Sequence, residues 1–122
     1  MIKMPSKKRF EYYSVPNRSI GKMNMYELAK NDYDMIIQLF QLIEKPKKPD
    51  YVAFIDVTNK GTTHYFIWKK DEDTFNIYDP EQEIKQELAP FEFYAWIFAK
   101  IPYVTSMGQG YTKKLEINEE TT

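Results

Sequence analysis

The sequence has no cysteine, one histidine and four glycines in 122 residues. Without cysteine there is no disulfide, no thiolate metal ligand and no Cys nucleophile. With a single histidine, every motif that needs a His pair on a metal is excluded. Scarce glycine argues against phosphate-cradling loops, which use several. Met107-Gly108-Gln109-Gly110 does contain a G-x-G, but no third glycine and no following Lys-Ser/Thr accompany it. Long apolar runs are missing too. The longest uncharged apolar-rich stretch, Met35 to Ile43, is far short of the twenty or so residues that span a bilayer. Lys7, Lys8 and Arg9 are followed by polar and aromatic residues instead of an apolar signal core, so a soluble, unexported, cytoplasmic protein with no membrane contact is expected.

What the chain does have is aromatic area. Ten Tyr, eight Phe and two Trp make up 16% of the residues, and hydrophobic residues reach 43%. That composition is globular, and the length fits one domain, since two cores would each be too small. The net charge of −1 conceals an asymmetry. Residues 1–22 carry Lys3, Lys7, Lys8, Arg9, Arg18 and Lys22 against Glu11, a balance of +5, and the remainder carries −6. Fifteen lysines to two arginines suit an A/T-rich coding genome, as in many phages, viruses and low-GC bacteria.

Residues 1–22 hold Pro5, Pro16 and Gly21 and no helical period, so they read as an extended basic arm with a short strand near Phe10–Val15. Asn24 with Glu27 has the spacing of a capping box and opens a helix over 25–44. Two apolar stripes run along it. Tyr26, Ala29, Tyr33, Ile36, Ile37, Phe40 and Ile43 form one; Leu28, Met35, Leu39 and Leu42 form the other. Together they exceed one core contact, so the helix is either the buried centre of the fold or has one face on a partner, and the second stripe is the candidate for that face. Lys45-Pro46 ends the helix.

The period then becomes two. Tyr51–Thr58, His64–Lys70 and Phe75–Asp79 read as strands joined by the turns Asn59-Lys60-Gly61 and Asp71–Thr74, an antiparallel meander. Glu81–Leu88 reads as a turn or two of helix, and Pro90 opens a helix with a stripe of Phe91, Tyr94, Phe98 and Ile101. Tyr103–Gly110 reads as loop and Tyr111–Ile117 as a last strand. The expected fold is α+β: a three- to four-stranded antiparallel meander against two helices. Its parts are an arm (1–22), one domain (23–117) and a frayed tail (118–122).

Chemistry converges on one residue. Cross-strand partners about the second turn sum to roughly 143 to 145, which brings His64 near Asp79. An aspartate on one imidazole nitrogen leaves the other as a base. The pattern His64-Tyr65-Phe66-Ile67 with Ile77-Tyr78-Asp79-Pro80 is similar to the His and Asp half of papain-like cysteine peptidases. It resembles most the peptidase domains of bacteriocin-exporting transporters, and more loosely the adenovirus and SUMO-protease group. The resemblance covers residues 51–80 and implies His64 as base and Asp79 as its orienting acid, but the thiol nucleophile is absent. A serine or threonine would need strong activation to replace it.

Other clusters point to bland roles. Asp71-Glu72-Asp73 lacks calcium-loop spacing; Glu81, Glu83, Glu87 and Glu92 read as a solvated acidic stretch. No metal or cofactor site is expected. Lys7-Lys8-Arg9 with Phe10, Tyr12 and Tyr13 interleaves cations and aromatics, a combination that contacts single-stranded nucleic acid or a protein partner. The leading expectation is a non-enzymatic protein–protein interaction or structural module, such as a viral or phage assembly component or inhibitor. It would meet another protein or itself through the arm and through Leu28, Met35, Leu39 and Leu42. The alternatives are a degenerate papain-like hydrolase using His64 and Asp79, and a nucleic-acid accessory protein using the arm.

Overall fold

The structure, a computed structural model, describes residues 10–13, 24–46 and 51–111. It is α+β: a six-stranded antiparallel sheet whose two edge strands are short, with two helices on one face. In chain order the elements are β1 (Phe10–Tyr13), α1 (Met25–Glu44), β2 (Tyr51–Thr58), β3 (Thr62–Asp71), β4 (Thr74–Asp79), β5 (Ile84–Leu88), α2 (Pro90–Lys100), a 3₁₀ turn (Ile101–Tyr103) and β6 (Val104–Tyr111). The sheet order is β1-β6-β2-β3-β4-β5.

Helix α1 starts at the expected capping box. Asn24 Oδ1 accepts from the Glu27 amide at 2.8 Å, and the Glu27 carboxylate accepts from the Asn24 amide at 3.4 Å. The meander over β2, β3 and β4 follows the period-two runs. Its first turn needs a left-handed backbone, which Lys60 (φ 63°) and Gly61 (φ 130°) adopt, and glycine does so without strain.

Two expectations are corrected. Ile84–Leu88 is a strand beside β4 instead of helix: Glu83 takes a left-handed turn conformation (φ 57°), and Ile-Lys-Gln-Glu-Leu alternates as an edge strand does. Val104–Tyr111 is an inner strand instead of a loop. Gly108 and Gly110 hide its strand character, since glycine weakens strand propensity. Residues 112–117 of the expected last strand lie outside the described residues.

Helix α1 lies over β6, β2 and β3, and α2 over β4 and β5. Between helices and sheet sits the main core: Met35, Ile36, Leu39, Leu42 and Ile43 from α1, Ala53, Ile55, Ile67 and Ile77 from the strands, and Phe93 and Ile97 from α2. Phe93 stacks on Phe75 with ring centres 4.2 Å apart and planes 3° from parallel. Phe40 meets Phe75, Phe93 and Tyr94 edge-on at 5.6–6.2 Å, which joins the two helices. A buried Gln109 ties β6 to the end of α1 by donating from Nε2 to the Leu42 and Lys45 carbonyls, each at 2.9 Å. The opposite sheet face holds a smaller buried cluster of Phe54, Phe66 and Tyr78, flanked by Val52 and Trp68.

Candidate functional site

Strand parity decides where His64 can act. The β3–β4 register pairs Phe66 with Tyr78 and Ile67 with Ile77, a sum of 144. That lies within the expected window, yet it sets His64 at the level of Pro80, not Asp79. Alternation then sends His64 to the face away from the helices, with Phe54 and Phe66, and Asp79 to the helix side, with Phe75 and Ile77. A slip of one residue flips every side chain to the other face. The His64–Asp79 pair is therefore corrected.

Each residue has other work. Asp79 Oδ1 accepts from the Glu81 and Gln82 amides at 2.9 and 3.2 Å and shapes the turn into β5. His64 lies directly across from Asp56 of β2, with Nδ1 2.6 Å from Asp56 Oδ1. The imidazole stacks on Phe54 at 4.8 Å and stands edge-on to Phe66 at 4.7 Å. A carboxylate on Nδ1 leaves Nε2 as the atom that would serve as base, but Nε2 is shut off from solvent.

The neighbouring register position argues the same way. Asp56 pairs with His64 on one side and Ser106 on the other, so the cross-strand order is Ser106, Asp56, His64. A hydrolytic triad needs the histidine between nucleophile and acid. Here the acid is in the middle, and the Ser106 and His64 backbones are two strand spacings apart, about 9.5 Å.

At the end of the same face three hydroxyls form a chain. Thr58 Oγ1 lies 3.0 Å from Thr62 Oγ1 and 3.1 Å from Thr105 Oγ1. Thr105 reaches this position because β6 bulges there, with Asp56 paired to Ser106 but Val57 to Val104. A cleft of about 430 Å³ at the other end of β2 and β3 is lined by Ile43, Tyr51, Trp68, Lys69 and Glu72 among others, and neither His64 nor Asp56 reaches it.

The acidic residues are spread over separate structural tasks. Asp71 Oδ1 accepts from the Asp73 amide in the hairpin turn, Glu87 pairs with Lys70 and Lys85, and Glu92 caps α2 through the Ala89 amide. Among the described residues no group of three His, Cys, Asp or Glu could hold a metal ion. No described helix is long and apolar enough to cross a membrane.

The expected binding residues divide. Lys7, Lys8 and Arg9 lie outside the described residues. Phe10, Tyr12 and Tyr13 belong to β1, which pairs with β6 of its own sheet; Phe10 is opposite Gly110 and Tyr12 opposite Gly108. Part of the arm is thus an edge strand of its own fold, where contact across another molecule was expected. Met35, Leu39 and Leu42 are fully or almost fully buried in the core, and Leu28 is half-buried. They face the sheet, so the expectation that this stripe meets a partner is reversed.

The other stripe divides: Ile36 and Ile43 join the core, while its outer edge is exposed. Tyr26, Tyr33 and Ile37 of α1 are exposed, and with Phe40 they fall within an arc of about 60° at 100° per residue. On α2 the stripe of Phe91, Tyr94, Phe98 and Ile101 also divides. Phe93, Ile97 and Ile101 are buried, whereas Phe91 (83% exposed), Tyr94 and Phe98 (61%) face outward. The Phe40–Tyr94 contact at 5.6 Å makes the two helical shoulders one surface. The tyrosines at 26 and 33 are the signal that favours this edge as the outer one, because a phenol hydroxyl prefers to stay wet. Comparison with protein-family models, curated proteins and solved structures finds no match to this chain.

Proposed function

We propose that this chain works by contact with another protein surface, through the outer face of its two helices, and not by catalysis. The observation that carries this reading is the exposure of Tyr26, Tyr33, Ile37, Phe91, Tyr94 and Phe98 on two adjoining helices. At roughly 200 Å² for a fully uncovered aromatic side chain, these exposures leave on the order of 700 Å². Less the tyrosine hydroxyls, that is about the size of the largest apolar patch on an ordinary monomer, about 300–600 Å², and such patches are often functional. Aromatic side chains are also the residues that dominate interface energetics. Both roles expected from the sequence, assembly component and inhibitor, act by contact of this kind.

Photo-crosslinking tests it. A benzophenone side chain replaces Tyr33 or Phe98, and in a control the exposed Thr105, in protein produced in its native cells. Adducts to protein are expected from the two helical positions and not from Thr105. No adduct at either helical position, or equal yield from Thr105, would overturn the reading.

A further inference from the structure

We infer that the partner on this helical face is a cationic protein segment, whose arginine or lysine side chains lie on the exposed rings; the inference rests on the contact reading above. The first ground is the order of residues. Three of the exposed rings are followed at once by a carboxylate: Tyr26 by Glu27, Tyr33 by Asp34 and Phe91 by Glu92. All three acidic residues are exposed. Tyr26 and Tyr33 are two turns apart, so on α1 the rings form one row and the acids a second, about 100° round the helix. Phe91 and Glu92 repeat that offset on α2. A shoulder of rings beside acids fits a cation on a long stem. The methylenes lie on apolar surface, the head is drawn to a ring face, and a carboxylate is within its reach. Arginine suits this best, because its flat guanidinium stacks on rings and pairs with a carboxylate through two bonds. The chain holds one such arrangement internally: Lys69 Nζ lies 5.8 Å over the Phe75 ring and 3.3 Å from Glu44 Oε1.

The second ground is the charge balance. The two helices carry five acidic side chains against Lys30 and Lys100. Glu27 and Glu92 cap their helices by accepting from the Asn24 and Ala89 amides, which are neutral partners and leave the charge in place. Lys30 answers Asp34 at 3.3 Å, and at the far end of α1 Lys69 answers Glu44 and Lys45 follows it. The wider field has the same sign: residues 24–46 and 51–111 hold thirteen acidic and seven basic side chains. A surface of this sign repels the phosphates of nucleic acid and of anionic bilayers, and it steers a cationic protein toward encounter.

Fluorescence anisotropy with the purified full chain reads the result. Two labelled amphipathic peptides share the same leucines and carry either arginine or glutamate at every polar position. The arginine peptide should bind at least tenfold more tightly than the glutamate peptide. Its affinity should fall several-fold from about 0.1 to 1 M salt, as the Debye length shrinks from about 10 to 3 Å. The variant Glu27→Gln/Asp34→Asn/Glu92→Gln should weaken the arginine peptide about tenfold; glutamine serves in a capping box as glutamate does, so both caps survive. Tyr33→Ser/Phe91→Ser should weaken it as much, and both side chains are more than half exposed, so the fold does not depend on them. The control Asp71→Asn/Glu72→Gln/Asp73→Asn removes the same charge from the β3–β4 turn and should bind within about twofold of the wild type. An arginine peptide that binds no more tightly than the glutamate peptide overturns the inference. Equal loss from the two neutralised variants also overturns it, because overall charge then explains the binding. If either result holds while the Tyr33 crosslinker gives protein adducts in native cells, the cationic partner fails and the contact reading stands. If no adduct forms at either helical position, both fail.

Discussion

The two faces of the sheet are built from the same strands and do different things. The helix-covered face carries the main aliphatic and aromatic core, where α1 and α2 meet around Phe40, Phe75 and Phe93. The other face carries a smaller aromatic cluster and nearly all the side chains that invite a chemical reading: His64, Asp56, Ser106 and the three threonines. On that face the polar groups engage one another in an order unsuited to catalysis, with the acid between the hydroxyl and the imidazole. On the helical side, apolar surface is left over after the core is filled, and it lies on the outside. The contrast sets the main core on one side of the sheet and the exposed apolar surface on the outside of its helices.

The largest expected effect tests where stability resides. Phe93→Ala removes a fully buried ring stacked on Phe75 and should lower unfolding free energy by about 3–5 kcal/mol in urea denaturation. Asp56→Ala, on the opposite face, should cost about 1–3 kcal/mol by taking away the acceptor at His64 Nδ1. If Asp56→Ala is the more damaging of the two, the polar face holds the fold together and the comparison is inverted.

The smallest effect is confined to alkaline pH. Burial first, then the carboxylates of Glu83 and Asp79, push the Tyr78 hydroxyl above its usual pKa of 10.0. The folded chain therefore keeps its proton at a pH where the unfolded chain has begun to lose it. The stability from this group is whole below pH 10.0 and drains away as pH rises through the folded value. Tyr78→Phe should flatten that alkaline slope in denaturation midpoints measured from pH 8 to 11 and leave neutral stability within about 1 kcal/mol.

Helix α1, its capping box and the β2–β4 meander were legible because their signals are local: Asn24 to Glu27, and runs of period two with short polar turns between them. Strand β6 was not, because its two glycines erase the local signal and its pairing with β2 is a long-range choice. The candidate site failed on a finer scale. A hairpin sum can be estimated to within a residue, and one residue moves Asp79 from the face of His64 to the opposite face. Both stripes of α1 were visible at their correct spacing. That Met35, Leu39 and Leu42 of one stripe share the core with Ile36 and Ile43 of the other depends on how the helix rolls against β2, β3 and β6, a property of packing that the helical period does not contain.

The most direct test of the central claim sets one residue of each surface against the other in a single assay. With the crosslinker at Tyr33, adduct yield is measured for Phe98→Glu and for His64→Ala, each checked for native circular dichroism. Phe98→Glu should lose the adduct and His64→Ala keep it within about twofold, the scale expected when a side chain lies outside the interface. Loss of the adduct in folded His64→Ala, with Phe98→Glu unaffected, would contradict it.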